Sequence, residues 1–163
     1  MGKSKIIMNN HKIKICFAAS SGGHLEQLLM LKPLMKKYDG FILTEKTKYD
    51  VNVDGVKVKK VSQINRKEKL FFFKFIGVAI KSFFIFLKER PTAIICTGVL
   101  ATVPMCLIMK LFKRKVIYIE SFAKVTSPTE SGKLLYKFAD RFYVQWESMK
   151  QFYPEAIYVG GIY

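Results

Sequence analysis

Lys14-Ile15-Cys16-Phe17-Ala18-Ala19-Ser20-Ser21-Gly22-Gly23-His24-Leu25-Glu26-Gln27 is the stretch that decides the architecture. Its first six residues form an apolar run with a small-residue finish, the mark of a buried strand. Ser20 to His24 then make a tight, glycine-containing loop, and Leu25 to Lys37 has the spacing of an amphipathic helix. Strand, glycine turn, helix is the opening of an α/β unit. The alternation continues outward from there. Phe41–Thr44 reads as a second strand, and Val56–Val61, with alternating lysines, as a third near an edge. Lys67–Lys88 reads as a long apolar helix stopped by Pro91. Ala93–Gly98 is a strand, Leu100–Phe112 a helix, Val116–Ile119 a strand, and Gly132–Ala139 a helix. Phe142–Val144 and Ile157–Val159 close the pattern as strands. The fold class is therefore α/β, a Rossmann-like parallel sheet with helices on both faces. No internal repeat or low-complexity linker interrupts it. The chain reads as one domain over residues 1–163, with residues 1–12 a flexible lead-in.

Half of the residues are apolar and 14% are aromatic, which excludes wholesale disorder. Lys and Arg number 28 against 12 Asp and Glu, a net charge of +16. Such a charge bears on partners: nucleic acid, an anionic membrane or phosphorylated substrates. The abundance of Lys, Ile and Phe also fits a coding bias. Three cysteines, with Cys16 and Cys96 inside apolar runs and Cys106 in a helix, exclude a disulfide framework and suit a reducing compartment. No CxxC or His-rich spacing provides a zinc site, so no metal is expected. Met1–Lys14 lacks the apolar core of a signal peptide, and Ile6 breaks the myristoylation pattern.

In sheets of this class, ligands bind beyond the carboxyl ends of the strands. Those ends carry Ser20–His24, Thr44-Glu45, Thr97-Gly98, Glu120-Ser121 and Gln145-Trp146-Glu147. Glycines between strand and helix let backbone N–H groups approach an anion, aided by the helix N-terminus. The loop Ser20-Ser21-Gly22-Gly23 is neither GxGxxG nor a Walker loop, and ordinary turn geometry explains the same residues. His24 can act as a base near neutral pH or serve a structural role. Glu26, two residues on, points away from His24 on a helix, though from the first turn it can still orient a substrate.

The helix at 67–88 holds seven of the 14 phenylalanines. Lys67, Lys74, Lys81 and Lys88 recur every seven residues, which at about 100° per residue keeps them on one narrow stripe. Its length suits a bilayer, but each internal Lys costs about 2.5–3.5 kcal/mol there. A crossing would also separate strands of one sheet. The expectation is a helix lying in the membrane interface through Phe71, Phe72, Lys74, Phe75, Lys81, Phe83 and Phe86. A core helix and a partner-covered helix are the alternatives.

Ala18-Ala19-Ser20-Ser21-Gly22-Gly23-His24-Leu25-Glu26-Gln27 resembles the opening of a family of glycosyltransferase subunits. That family includes PssD- and CpsF-type bacterial polysaccharide proteins. It also includes the membrane-bound subunit of the UDP-GlcNAc transferase that adds the second sugar to dolichol pyrophosphate. The likeness runs on through Thr97-Gly98, Glu120-Ser121-Phe122-Ala123-Lys124-Val125, Gly132–Tyr136 with Ala139-Asp140, and Tyr143-Val144-Gln145-Trp146. At Lys124 the family pattern has arginine, so a basic group is kept without a bidentate fork.

The resemblance implies the acceptor-binding, N-terminal half of a MurG-like GT-B glycosyltransferase, whose donor half is a separate, small UDP-sugar-binding subunit. It implies a polyprenyl-pyrophosphate-linked saccharide as acceptor, surface polysaccharide synthesis as context, and the cytoplasmic face of the cell membrane as location, in a monotopic or peripheral mode. By the same analogy His24 is the base that deprotonates the acceptor hydroxyl, and Glu120 is a second catalytic carboxylate or a cap on the loop after it. Ser20, Ser21, Gly22, Gly23, Glu26, Thr97, Gly98, Ser121 and Lys124 are the substrate-binding candidates, with no cofactor required. Two other readings are a non-catalytic membrane scaffold for a partner transferase and a basic nucleic-acid-binding module. The contiguous, helical phenylalanine cluster and the lack of a nucleic-acid motif speak against the second, so no nucleic-acid partner is expected.

Overall fold

The computed structural model describes residues 13–48, 51–98 and 100–163. The readings of residues 1–12 as a flexible lead-in without a targeting signal fall outside the described residues. Seven strands form one parallel sheet: β1 Lys14–Ala18, β2 Asp39–Glu45, β3 Lys57–Val61, β4 Ala93–Cys96, β5 Lys115–Ile119, β6 Arg141–Val144 and β7 Ile157–Tyr158. Their spatial order is β3-β2-β1-β4-β5-β6-β7, with β3 at an edge. Cys16 of β1 sits opposite Phe41 on one side and Ile94 on the other.

Alternation along β1 divides the core. Ile15, Phe17 and Ala19 face one layer, which contains Leu28, Met35, Ile42 and Ile95. Cys16 and Ala18 face the other, which contains Val78, Phe86, Met105, Tyr118 and Leu135. The first layer is covered by α1 Gly23–Leu29 and α2 Lys32–Lys37, the second by α3 Phe71–Glu89, α4 Val103–Leu111 and α5 Glu130–Tyr136. Helices therefore lie on both faces, and the Rossmann-like class stands.

Three boundaries differ from the sequence reading. The helix expected over Leu25–Lys37 is two helices, because Pro33 lies in the first turn of α2. Its ring clashes with the carbonyl four residues back and cannot continue a helix through that point. The helix expected from Leu100 starts as a 3₁₀ turn, Leu100–Thr102, ahead of Pro104 in the first turn of α4. The long helix begins at Phe71, so Lys67 precedes it and only Lys74, Lys81 and Lys88 share the stripe. All three cysteines are buried and free.

Candidate functional site

The strand order reverses between β1 and β4, and the crevice at their carboxyl ends is where a ligand binds in such sheets. His24, in the first turn of α1, stands on one side of it and Thr97-Gly98, just past β4, on the other. His24 Nδ1 lies 2.8 Å from the Thr97 carbonyl oxygen. A carbonyl only accepts, so Nδ1 donates and the neutral ring keeps Nε2 as a proton acceptor. In return the Thr97 hydroxyl donates to the His24 carbonyl at 2.8 Å. The ring is half-buried and so remains reachable.

Gly98 makes room for that ring. Its φ is +102°, and a Cβ there would stand 3.3 Å from His24 Cε1 and Nδ1 and 3.4 Å from the Tyr118 hydroxyl. The Gly98 carbonyl accepts the Ser20 N–H at 2.9 Å, which ties the glycine loop to β4. Gly22 has φ +76°. Added Cβ atoms on Gly22 or Gly23 would meet open space, so Gly22 serves the turn and both leave the loop uncovered. Glu26 is exposed on the same short helix.

On the β2 side, buried Glu45 accepts from Ser21 through both its backbone N–H, 3.3 Å, and its hydroxyl, 3.1 Å. The loop is thus strapped at Ser20 by β4 and at Ser21 by β2. Glu45 is absent from the sequence-derived site candidates. Its position at a strand end was visible, but its partner 24 residues away was not.

Glu120 lies at the end of β5 and is 1% exposed. Its Oε1 accepts the Ser121 N–H at 2.8 Å and the Thr129 hydroxyl at 2.9 Å, and its Oε2 accepts the Tyr153 hydroxyl at 2.7 Å. Thr129 N–H adds a 3.3 Å contact to Oε2. The loop-capping role weighed for this residue is what these bonds describe. Burial first, then the adjacent Glu120 charge, push the Tyr118 phenol well above its ordinary range. Burial and then the bond to Glu120 do the same at Tyr153. Gly132 is demanded by the cluster: a Cβ there would overlap the Glu120 carboxylate and lie 2.8 Å from Thr129 Oγ1. Tyr153 carried no signal in the sequence, because its partner is 33 residues away.

The Ser121–Val125 loop is held by the last strands. Gln145 donates to the Glu120 carbonyl at 2.8 Å, and Trp146 to the Phe122 carbonyl at 2.6 Å. Ser121 is buried, while Lys124 is half-buried, and its ammonium makes no ion pair among the described residues.

On α3 only Val78, Ser82, Phe86 and Glu89 are buried. Phe86 stacks on Phe112 with centroids 4.7 Å apart, so it belongs to the core and is removed from the membrane-contact set. Phe71 and Phe75 are partly buried against the core. Phe72 and Phe83 are exposed, together with Phe73, Phe84, Ile76, Ile80 and Leu87, which the sequence-derived set omitted. Lys74 pairs with Glu68, while Lys81 and Lys88 are exposed. Among the described residues no helix is long and apolar enough to cross a membrane, and no cluster of His, Cys, Asp and Glu is arranged to hold a metal ion.

Residues 34–162 match the family described as "Oligosaccharide biosynthesis protein Alg14 like". The chain belongs to the Alg14-like family. This Alg14-like chain is 30% identical over 175 residues to the UDP-N-acetylglucosamine transferase subunit ALG14 of Yarrowia lipolytica, covering 90% of the chain and 80% of the relative. The subunit of the same name from Homo sapiens is 33% identical over 87 residues, which are 50% of the chain and 40% of the human protein. The match therefore spans less than half of the human relative's length. Among solved structures, Acinetobacter baumannii MurG superposes with a TM-score of 0.74 at 14% identity, over 91% of this chain and 45% of MurG. A UDP-N-acetylglucosamine 2-epimerase from Rickettsia bellii gives 0.71 at 12% identity, over 93% and 46%. At such identities these likenesses concern the fold.

Proposed function

We propose that this chain is the acceptor-binding subunit of a two-component glycosyltransferase. The observation that carries the reading is His24, held through Nδ1 by the Thr97 carbonyl at the sheet's switch point of an Alg14-like chain. The acceptor is a polyprenyl-pyrophosphate-linked saccharide, as in surface polysaccharide assembly, and the donor is a UDP-sugar. UDP-GlcNAc is the first donor to test, because the relatives are named for its transfer.

Chemically, His24 Nε2 takes the proton of the acceptor hydroxyl as its oxygen attacks the anomeric carbon. The new C–O bond forms as the bond to the UDP phosphate oxygen breaks, and UDP leaves with the electron pair. Thr97 fixes the tautomer that makes Nε2 the base. The uncovered glycine loop and Lys124 face the acceptor's phosphates, and Glu120 positions the Ser121–Lys124 loop through the bonds above. Donor binding falls to a second, UDP-sugar-binding unit; the naming of the relatives as subunits of a transferase supports that division. The exposed phenylalanines of α3, with Lys81 and Lys88, rest on an anionic membrane at its cytoplasmic face, where Lys side chains reach the headgroups.

Reconstitution tests this. The chain mixed with its donor-binding partner, a UDP-sugar and a polyprenyl-pyrophosphate saccharide in vesicles is expected to transfer sugar, and the chain alone is not. Transfer by the partner without this chain, or unchanged transfer with His24→Ala, would overturn the catalytic part and leave a scaffold.

A further inference from the structure

The stretch between Ser21 and His24 has little of its own to hold it. Gly22 and Gly23 fill it, and glycine populates conformations that other residues avoid. Gly22 is also the N-cap of α1, where it has no side chain to fix the start of the helix. Both glycines are exposed, and a Cβ added to either would meet nothing within 4 Å. What fixes this backbone must therefore act from its ends.

Glu45 acts at one end. It closes β2, an interior strand between β3 and β1. The Ala19 N–H donates to the Leu43 carbonyl at 3.0 Å, and the Lys46 N–H donates to the Val61 carbonyl at 2.7 Å, so the backbone around Glu45 is anchored to both neighbouring strands. From that post Oε2 accepts the Ser21 hydroxyl at 3.1 Å and the Ser21 N–H at 3.3 Å. A carboxylate is costly to bury, Glu45 is 7% exposed, and bonds to an ionised acceptor are the stronger kind. Two such bonds to one serine fix both its backbone and its side chain. The other anchors come from the β4 side, through Gly98 to Ser20 and through Thr97 to His24.

We infer that Glu45 is a positioning residue for acceptor binding, which through Ser21 holds the Ser21–Gly23 backbone in the form that meets the acceptor. The inference rests on the acceptor reading above and divides the labour at the rim. Thr97 sets the histidine, which governs the chemical step. Glu45 sets the loop beside it, which governs binding. Ser21 accordingly passes from the substrate ligands to the strap, since its hydroxyl and its N–H both turn to Glu45.

The test uses the chain with its donor-binding partner, a UDP-sugar and a polyprenyl-pyrophosphate saccharide, over a range of acceptor concentrations. Glu45→Ala is expected to raise the acceptor KM by about tenfold and to leave kcat within about twofold, as loss of a preorganised loop does. Glu45→Gln keeps an accepting oxygen for Ser21 and is expected to recover most of that KM. Ser21→Ala, at a half-buried position, removes the hydroxyl bond alone, and so tests the strap even if Glu45→Ala fails to fold. It is expected to raise KM by about two- to fivefold. The double variant is expected to match Glu45→Ala, because the two residues share one interaction. Amide hydrogen exchange of the chain alone is expected to quicken at Ser21–Gly23 in both single variants. An acceptor KM equal to wild type in both, a fall in kcat in place of the rise in KM, additive effects in the double variant or exchange at wild-type rates would overturn the inference and leave the transferase reading standing. No transfer by the wild-type pair would overturn the transferase reading and this inference with it.

Discussion

His24 and Thr97 bind each other twice: the imidazole Nδ1 donates to the Thr97 carbonyl at 2.8 Å, and the Thr97 hydroxyl donates to the His24 carbonyl at 2.8 Å. One bond sets the ring, the other sets the backbone that carries it. Thr97→Val removes only the second, a net loss of about 0.5–1.5 kcal/mol. Its melting temperature is expected to drop by several degrees, while Thr97→Ser stays near wild type. A Thr97→Val protein as stable as Thr97→Ser in thermal melts would show that the hydroxyl bond contributes nothing.

His24→Ala is expected to lower kcat by about 10²-fold or more in the reconstituted pair, as loss of a general base does. Its circular dichroism and binding to the partner should be unchanged. Steady-state kinetics separates this from a positioning role, which would raise KM instead.

The glycines predict different outcomes. Gly132→Ala drives a methyl into the Glu120 carboxylate and Thr129, so a loss of stability above about 2 kcal/mol is expected, with refolding yield reduced. Gly98→Ala, at φ +102° and against the His24 ring, is expected to lose both stability and turnover. Gly23→Ala projects into open space and should leave urea midpoints within about 0.5 kcal/mol of wild type. Equal midpoints for Gly132→Ala and Gly23→Ala would refute the packing described around Glu120.

Glu89 closes the back of the sheet. Its buried carboxylate pairs with Lys14 at 2.7 Å and Lys59 at 3.0 Å. The hydrogen bond from Lys14, then that from Lys59, lower its pKa to about 2. A carboxyl depressed in the folded state stabilises fully above its unfolded pKa and loses that contribution as pH falls toward the folded value. Wild type should therefore lose stability between about pH 5 and pH 2, and Glu89→Gln, less stable at pH 7, should show a flatter profile there. Parallel pH profiles from chemical denaturation would exclude the linkage.

On the membrane face, replacing Phe72, Phe73 and Phe84 by Ser is expected to release the protein from vesicles without unfolding it. Phe86→Ser, in the core against Phe112, is expected to unfold it. Lys81→Gln with Lys88→Gln should weaken binding to anionic vesicles only, by about 1 kcal/mol each at low salt. Co-sedimentation of wild type with neither neutral nor anionic vesicles would remove the membrane from the account.

The sheet was legible because its signals are local: an apolar run of strand length, a glycine turn, an amphipathic helix, repeated. Breaks at Pro33 and Pro104 were equally local, yet the apolar spacing around each prolines's neighbours masks them as one continuous helix. The rim residues His24, Thr97 and Gly98 were legible as a set, since strand ends in a parallel sheet must share a rim. What escaped was pairing. Nothing near Ser21 names Glu45, and nothing near Glu120 names Tyr153, because those bonds depend on where distant segments arrive. The face of α3 was half legible: periodicity marks a stripe of lysines and sets Phe84 and Phe86 about 200° apart on the helix, but with phenylalanines all round, spacing does not say that Phe86 is the one turned to the core and Phe112.

The His24–Thr97 bonds span 73 residues of chain, and β1 cannot pair with β4 until the whole of α3 has been made. During synthesis the phenylalanine-rich helix thus leaves the ribosome before α4, with Phe112, exists to cover any part of it. Such long-range closure makes for slow folding, and uncovered apolar surface in the interval invites aggregation. A nascent chain born beside a bilayer has a surface on which to park α3 while the later strands arrive. The same chain diluted from denaturant into plain buffer does not, and its refolding yield should rise when anionic vesicles are present from the first second.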